Sequence, residues 1–100
     1  MKTLTDTEYI YFITVRNAKY KPNHTYVVIK RVNVSDIVSI KIGAAIEIST
    51  YHQTNKHVTS PIFFNVIDAM KYATITQQLF TFSFAMQDKP ICEIVIENME

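Results

Sequence analysis

Residues 38–48 read VSIKIGAAIEI. Val38, Ile40, Ile42, Ala44, Ile46 and Ile48 fall at every second position, against Ser39, Lys41, Gly43, Ala45, Glu47 and Ser49. A period of two marks a strand with one face toward a core and the other toward water. The run is long against the usual strand of about 5–6 residues. Gly43, the only glycine in the chain, predicts the bend or tight turn that divides it.

On the N-terminal side, residues 8–16 predict a strand with Tyr9, Tyr11, Ile13 and Val15 on one face and Ile10 and Phe12 on the other. Residues 17–24 carry turn formers, with Pro22-Asn23 as the pivot. Strand character resumes over residues 25–34, where Lys30-Arg31 spoils the alternation and predicts a bulge or an exposed edge.

On the C-terminal side, residues 51–60 read as a polar loop that ends in Ser60-Pro61. Serine caps helices and proline suits the first helical position. Phe63, Val66, Ile67 and Met70 then recur at helical spacing, which predicts one helix near residues 61–76. From Leu79 the period returns to two: Phe80, Phe82, Phe84 and Met86 oppose Thr81, Ser83 and Ala85. A turn at Gln87-Asp88-Lys89-Pro90 and a partner strand over residues 91–97 complete a terminal hairpin. The expected order is β-β-β(β)-α-β-β. It describes an α+β fold in which an antiparallel sheet of about five strands packs against one helix.

The length, 100 residues, fits a single domain spanning 1–100. With 48% hydrophobic and 19% charged residues the chain lacks the signature of disorder. Fourteen Ile, nine Val and eleven Thr favour strands. A single cysteine forms no internal disulfide, no run approaches the ~18 apolar residues of a membrane span, and the start lacks the apolar core of a secretory signal. The expected setting is cytoplasmic, of the producing or a host cell, with no membrane partner. The triplets Asn23-His24-Thr25 and Asn33-Val34-Ser35 are then chance matches to glycosylation sites.

Catalytic patterns are scarce. Phosphate-cradling loops need glycines that this chain does not have. Cys92 sits in an apolar strand run, where a small buried residue is the ordinary role. His52 and His57 are five apart in a polar loop, off the spacing that aims two rings at one ion. Glu93 and Glu97 share a strand face but stand ~13 Å apart, too far for a dyad. No catalytic residue, cofactor or metal ligand is assigned, and the chain is read as no enzyme.

Two surfaces invite a partner. The net charge is +1, yet residues 1–45 hold seven basic side chains against three acids, while residues 46–100 hold three against six. Arg16, Lys19, Tyr20, Lys21, Tyr26, Lys30 and Arg31, with His24 among them, mix cations and stackable rings around one hairpin, as single-strand nucleic-acid surfaces do. The plainer reading is an exposed hairpin whose charges guard its edge. The second surface follows from size. A sheet of about five strands spans ~24 Å and one helix covers only ~10 Å. Ile10 and Phe12 on the first strand, and Ile91 and Val95 on the last, then form an uncovered apolar face. A second copy of the chain or another protein would cover it.

The function expected is therefore a non-catalytic protein-binding module: a small inhibitor, adaptor or accessory subunit. A bias toward Ile, Lys, Asn, Tyr and Thr, with no Trp, suits an AT-rich genome and a phage or mobile-element protein acting on a host protein. The alternative is a single-stranded nucleic-acid-binding module built on residues 16–31.

Overall fold

The turn at Pro22-Asn23 sets the first sheet. In the computed structural model, which describes residues 8–53, 56–82 and 91–99, Asn23 holds φ at 57°. Asparagine tolerates this left-handed region better than most residues. Ala18 N–H donates to the His24 carbonyl at 2.9 Å and closes the loop. The flanking strands, β1 (Tyr9–Asn17) and β2 (His24–Asn33), pair antiparallel from Tyr9↔Asn33 to Asn17↔Thr25 without a slip. The bulge expected at Lys30-Arg31 is not there.

It lies instead in the next hairpin. The 38–48 stretch divides at Gly43 as its pattern predicts, into β3 (Ile37–Ile42) and β4 (Ile46–Thr50). The register shifts between Ile37 and Ser39: Ile37 pairs with Thr50 and Ile40 with Ile48. Val38 thereby drops out of the alternating set, and Ile40, Ile42 and Ala44 are exposed too, so the expected core-facing side holds only at Ile46 and Ile48 of β4. The polar loop holds a third strand, β5 (Lys56–Val58), paired with Ile46–Ile48. Three residues are too few to show a period.

Ser60-Pro61 does not begin the helix. Ser60 is buried, and its Oγ accepts the Ile13 N–H at 2.7 Å. Phe63 exchanges two backbone bonds of 2.8 Å with Tyr11. Residues 60–63 thus satisfy donors and acceptors along the outer edge of β1. The helix, α1 (Val66–Phe82), starts at Asn65. Asp68 N–H donates to Asn65 Oδ1 at 2.8 Å, and Asn65 Nδ2 donates to Asp68 Oδ2 at 2.9 Å. The first is the bond of an N-cap, and the second ties the cap side chain to that of Asp68.

The terminal hairpin is also corrected. Leu79, Phe80, Thr81 and Phe82 continue α1, and residues 83–90 lie outside the described residues. The last strand, β6 (Ile91–Asn98), pairs parallel with β2, from His24↔Ile91 to Arg31↔Asn98. Parallel neighbours need a crossover, and α1 lies on it. The fold is α+β, but one antiparallel sheet of about five strands gives way to two sheets of three, β1-β2-β6 and β3-β4-β5.

Those sheets explain where the core sits. On one face of β1-β2-β6, Ile13, Val27, Ile29 and Cys92 pack against Ala69 and Ala73 of α1. On the other, Ile10, Phe12 and Val32 pack with Met99 against Ile48 and Val58 of the second sheet. The prediction that β1 is apolar on both faces holds. The prediction that one of them is bare fails for Ile10 and Phe12, which the chain's own β3-β4-β5 sheet buries.

Candidate functional site

Much of the apolar surface left uncovered among the described residues is on and beside the helix, while Val38, Ile40 and Ile42 of β3 and Ile91 and Ile96 of β6 are exposed as well. Ala69 and Ala73 are fully buried, and Phe80 is half-buried on the same side. Small side chains let α1 lie close to the sheet, so its inner face is made of alanines rather than of the larger residues whose spacing predicted the helix. Val66, Ile67 and Met70 face outward, and Phe63, expected in the helix, lies before it against β1. Phe64 is 68% exposed, Ile67 65%, Ile75 59% and Leu79 63%. Ile67, Met70 and Ile75 border a shallow groove of ≈ 670 Å³ whose only charged lining residue is Lys71. Lys71 makes no ion pair with any described residue.

Phe64, Tyr72, Ile75 and Leu79 were not singled out in the sequence. The signal was present: apolar residues occur all round the helical wheel, and a helix of that kind is buried on every side or bears a partner.

The basic hairpin is a different case. Directly paired residues share a face, so Arg16, Tyr26 and Lys30 come together on the sheet face that β3-β4-β5 only partly covers. The parallel register brings Glu93 and Glu97 of β6 to that same face. Arg16 grips Glu97 through two bonds, Nη1 to Oε1 at 2.8 Å and Nη2 to Oε2 at 2.5 Å, and Lys30 Nζ reaches Oε1 at 3.0 Å. The Glu97 carboxyl falls from its ordinary 4.5 to about 2, first through the Arg16 hydrogen bond and then through that of Lys30. His24 Nε2 meets Glu93 at 2.6 Å. The Tyr26 ring sits between His24, 4.9 Å away, and the Arg16 guanidinium at 5.4 Å.

Arg31 alternates to the opposite face. There it donates to Asn98 Oδ1 at 2.8 Å and stacks 4.7 Å over Tyr9. Lys19, Tyr20 and Lys21 occupy the exposed hairpin tip, with no ion pair to a described residue. Only these three of the basic and aromatic set remain uncommitted. Ile91 is exposed and Val95 half-buried, so the proposed apolar sheet face is reduced to its β6 margin.

The titratable groups with catalytic potential are dispersed. Cys92 is buried, and burial pushes its thiol up, away from the reactive thiolate. His57 meets its cross-strand neighbour Glu47 at 2.9 Å, while His52 lines a separate polar cleft of ≈ 330 Å³ with Tyr9, Arg31 and Asp36. Among the described residues no three His, Cys, Asp or Glu side chains gather to hold a metal ion, and no helix is long and apolar enough to cross a membrane.

No family model, curated protein or solved structure matches this chain. The geometry alone carries the functional reading.

Proposed function

We propose that the chain is a non-catalytic protein-binding module, an inhibitor, adaptor or accessory subunit, that docks through the outer face of α1. The exposed row of Phe64, Ile67, Ile75 and Leu79 carries this reading. Water is a poor neighbour for large apolar side chains, three on one helix and Phe64 just before its start, and contiguous surface of this kind marks interaction sites. Grooves and helix faces of this chemistry bind apolar segments of other proteins.

The test is comparative capture. The tagged chain and an Ile67→Glu/Ile75→Glu variant are presented to extract of the native cell or its host. Proteins held by the wild type, lost by that variant and kept by a Lys19→Ala/Lys21→Ala variant support the reading. Identical capture by all three chains overturns it.

A second reading has one observation in its favour. Tyr20 is 93% exposed between two exposed lysines, a stacking ring with cations beside it. A single-stranded oligonucleotide would bind this tip with an affinity that falls as salt rises. Binding unchanged in Lys19→Ala/Lys21→Ala removes the nucleic-acid alternative.

A further inference from the structure

We propose that the polar cleft at the end of the β1-β2-β6 sheet binds a small α-amino-carboxylate, a free amino acid, with the ligand's carboxylate on Arg31 and its ammonium group on Asp36. The site lies apart from the outer face of α1. Tyr9 from the start of β1, Arg31 and Asn33 from the end of β2, Asp36 from the turn that follows and Asn98 from the end of β6 line it. Its ≈ 330 Å³ stands at the lower end of the range for small-molecule sites.

Arg31 is held as a binding group needs to be. Its Nε donates to Asn98 Oδ1 at 2.8 Å, and its guanidinium lies 4.7 Å over the Tyr9 ring. Those contacts fix the plane of the fork, while neither Nη atom bonds to a described residue. The donors of both Nη atoms remain for a carboxylate, which a guanidinium takes bidentately. Asn33 and Asn98 each use Oδ1 within the chain, for Ser35 and Arg31, which leaves their Nδ2 donors. Side chains already ordered lose little freedom when a ligand arrives.

Asp36 selects the ligand. It lines the same cleft, half-buried, yet makes no ion pair with Arg31 or any other described residue. Elsewhere on the sheet the chain joins its own opposite charges, as Arg16 and Lys30 do with Glu97. A simple anion on Arg31 would face the like charge of Asp36, and a simple cation on Asp36 would face Arg31. Molecules of one sign are thus disfavoured. An α-amino acid carries its carboxylate and its ammonium on one carbon and answers both side chains at once.

Titration of the isotope-labelled chain with the standard amino acids, followed by amide chemical shifts, tests this. At least one should give saturable shifts at Arg31, Asn33, Asp36 and Asn98 below about 10 mM, the weak affinity of a small open site. Its des-amino carboxylate and its decarboxylated amine should each bind more than about tenfold more weakly. Asp36→Asn, which keeps the backbone carbonyl that accepts the Tyr51 N–H, should remove the advantage of the amino acid over the des-amino carboxylate. Arg31→Lys keeps the charge but not the fork, and should weaken amino-acid binding by more than about tenfold. Spectra unchanged away from the cleft verify that the variants are folded.

The absence of saturable shifts with every amino acid overturns the proposal. So does a des-amino carboxylate that binds as tightly as the amino acid, the mark of a simple anion site, or wild-type selectivity in Asp36→Asn. No residue of α1 lines the cleft, so Ile67→Glu/Ile75→Glu should bind the amino acid like the wild type. Failure of this site and failure of the helix face as a docking surface are therefore read separately.

Discussion

The charged end of the β1-β2-β6 sheet and the outer face of α1 carry the residues most inviting to a partner, and they differ in what the chain itself supplies. Arg16 and Lys30 find Glu97, and His24 finds Glu93. Ile67 and Ile75 find only water. Charge asymmetry along a sequence is erased when strands from the two halves become neighbours, as the parallel β2–β6 pair makes them. An apolar helix face has no such remedy within a layer that already covers the core on its other side. Unanswered apolar surface is therefore the better guide to function in this molecule.

The two faces of the helix give the sharpest way to break this comparison. Ala73→Leu forces a large side chain into a fully buried position against the sheet, and overpacking of this kind costs about 1–3 kcal/mol. Ile75→Gln, two residues on and exposed, should change stability by less than about 0.5 kcal/mol. Urea unfolding of both variants measures the contrast. Equal losses would mean that the outer face is structural and not a docking surface.

The start of the same helix gives a smaller effect. Asn65→Ala removes the acceptor of the Asp68 N–H and should cost about 1 kcal/mol, the usual worth of a cap. Ser60→Ala should leave helix content unchanged in circular dichroism and act through the lost bond from Ile13 instead. A greater loss of helix in Ser60→Ala than in Asn65→Ala would restore the start that the Ser60-Pro61 pair predicts.

Much of the β structure was legible because it rests on local chemistry. Pro22-Asn23 turns the chain, Gly43 stands at a bend, and alternation located four strands within a residue or two. Partner choice was not legible. A strand such as β1, apolar on both faces, reveals that two layers cover it but not whether the second belongs to its own chain. The helix was placed too early because Ser60-Pro61 imitates a cap, and ended too early because Phe80 and Phe82 imitate a strand. Thr76 and Thr81, which disfavour helix by intrinsic propensity, instead bond back to the carbonyls of Tyr72 and Gln77 at 2.9 and 3.2 Å. The docking face was missed because large apolar residues draw attention to themselves as core. Ala69 and Ala73, which define the true inner face, do not.

The charged side of the comparison is sharpened by pH. Glu97 ionises at about 2 in the folded chain against an ordinary 4.5, chiefly through Arg16. A depressed carboxyl contributes stability above its unfolded value, and that contribution is lost as pH falls from about 4.5 toward 2. Arg16 is half exposed, so solvent screening limits the gain to less than about 1 kcal/mol. Glu97→Gln should flatten this acid limb of the stability curve and leave α1-mediated association unchanged. An acid limb identical to that of the wild type would show that the Arg16–Glu97–Lys30 cluster is not formed in solution.

The smallest effect concerns Gly43, whose pattern so clearly predicted the division of residues 38–48. Its φ is not positive, and a Cβ placed there meets nothing within 4 Å. The bend thus requires neither the left-handed backbone nor the close approach that reserves a position for glycine. Gly43→Ala removes freedom only from the unfolded chain and should stabilise the protein by a few tenths of a kcal/mol, about 0.4. A rise of the urea midpoint at unchanged slope is the expected reading. A loss of more than about 1 kcal/mol would mean that the bend holds a conformation alanine cannot adopt. The β3–β4 hairpin would then owe its turn to Gly43 and not to the Ile40–Ile48 and Ile42–Ile46 pairs on either side of it.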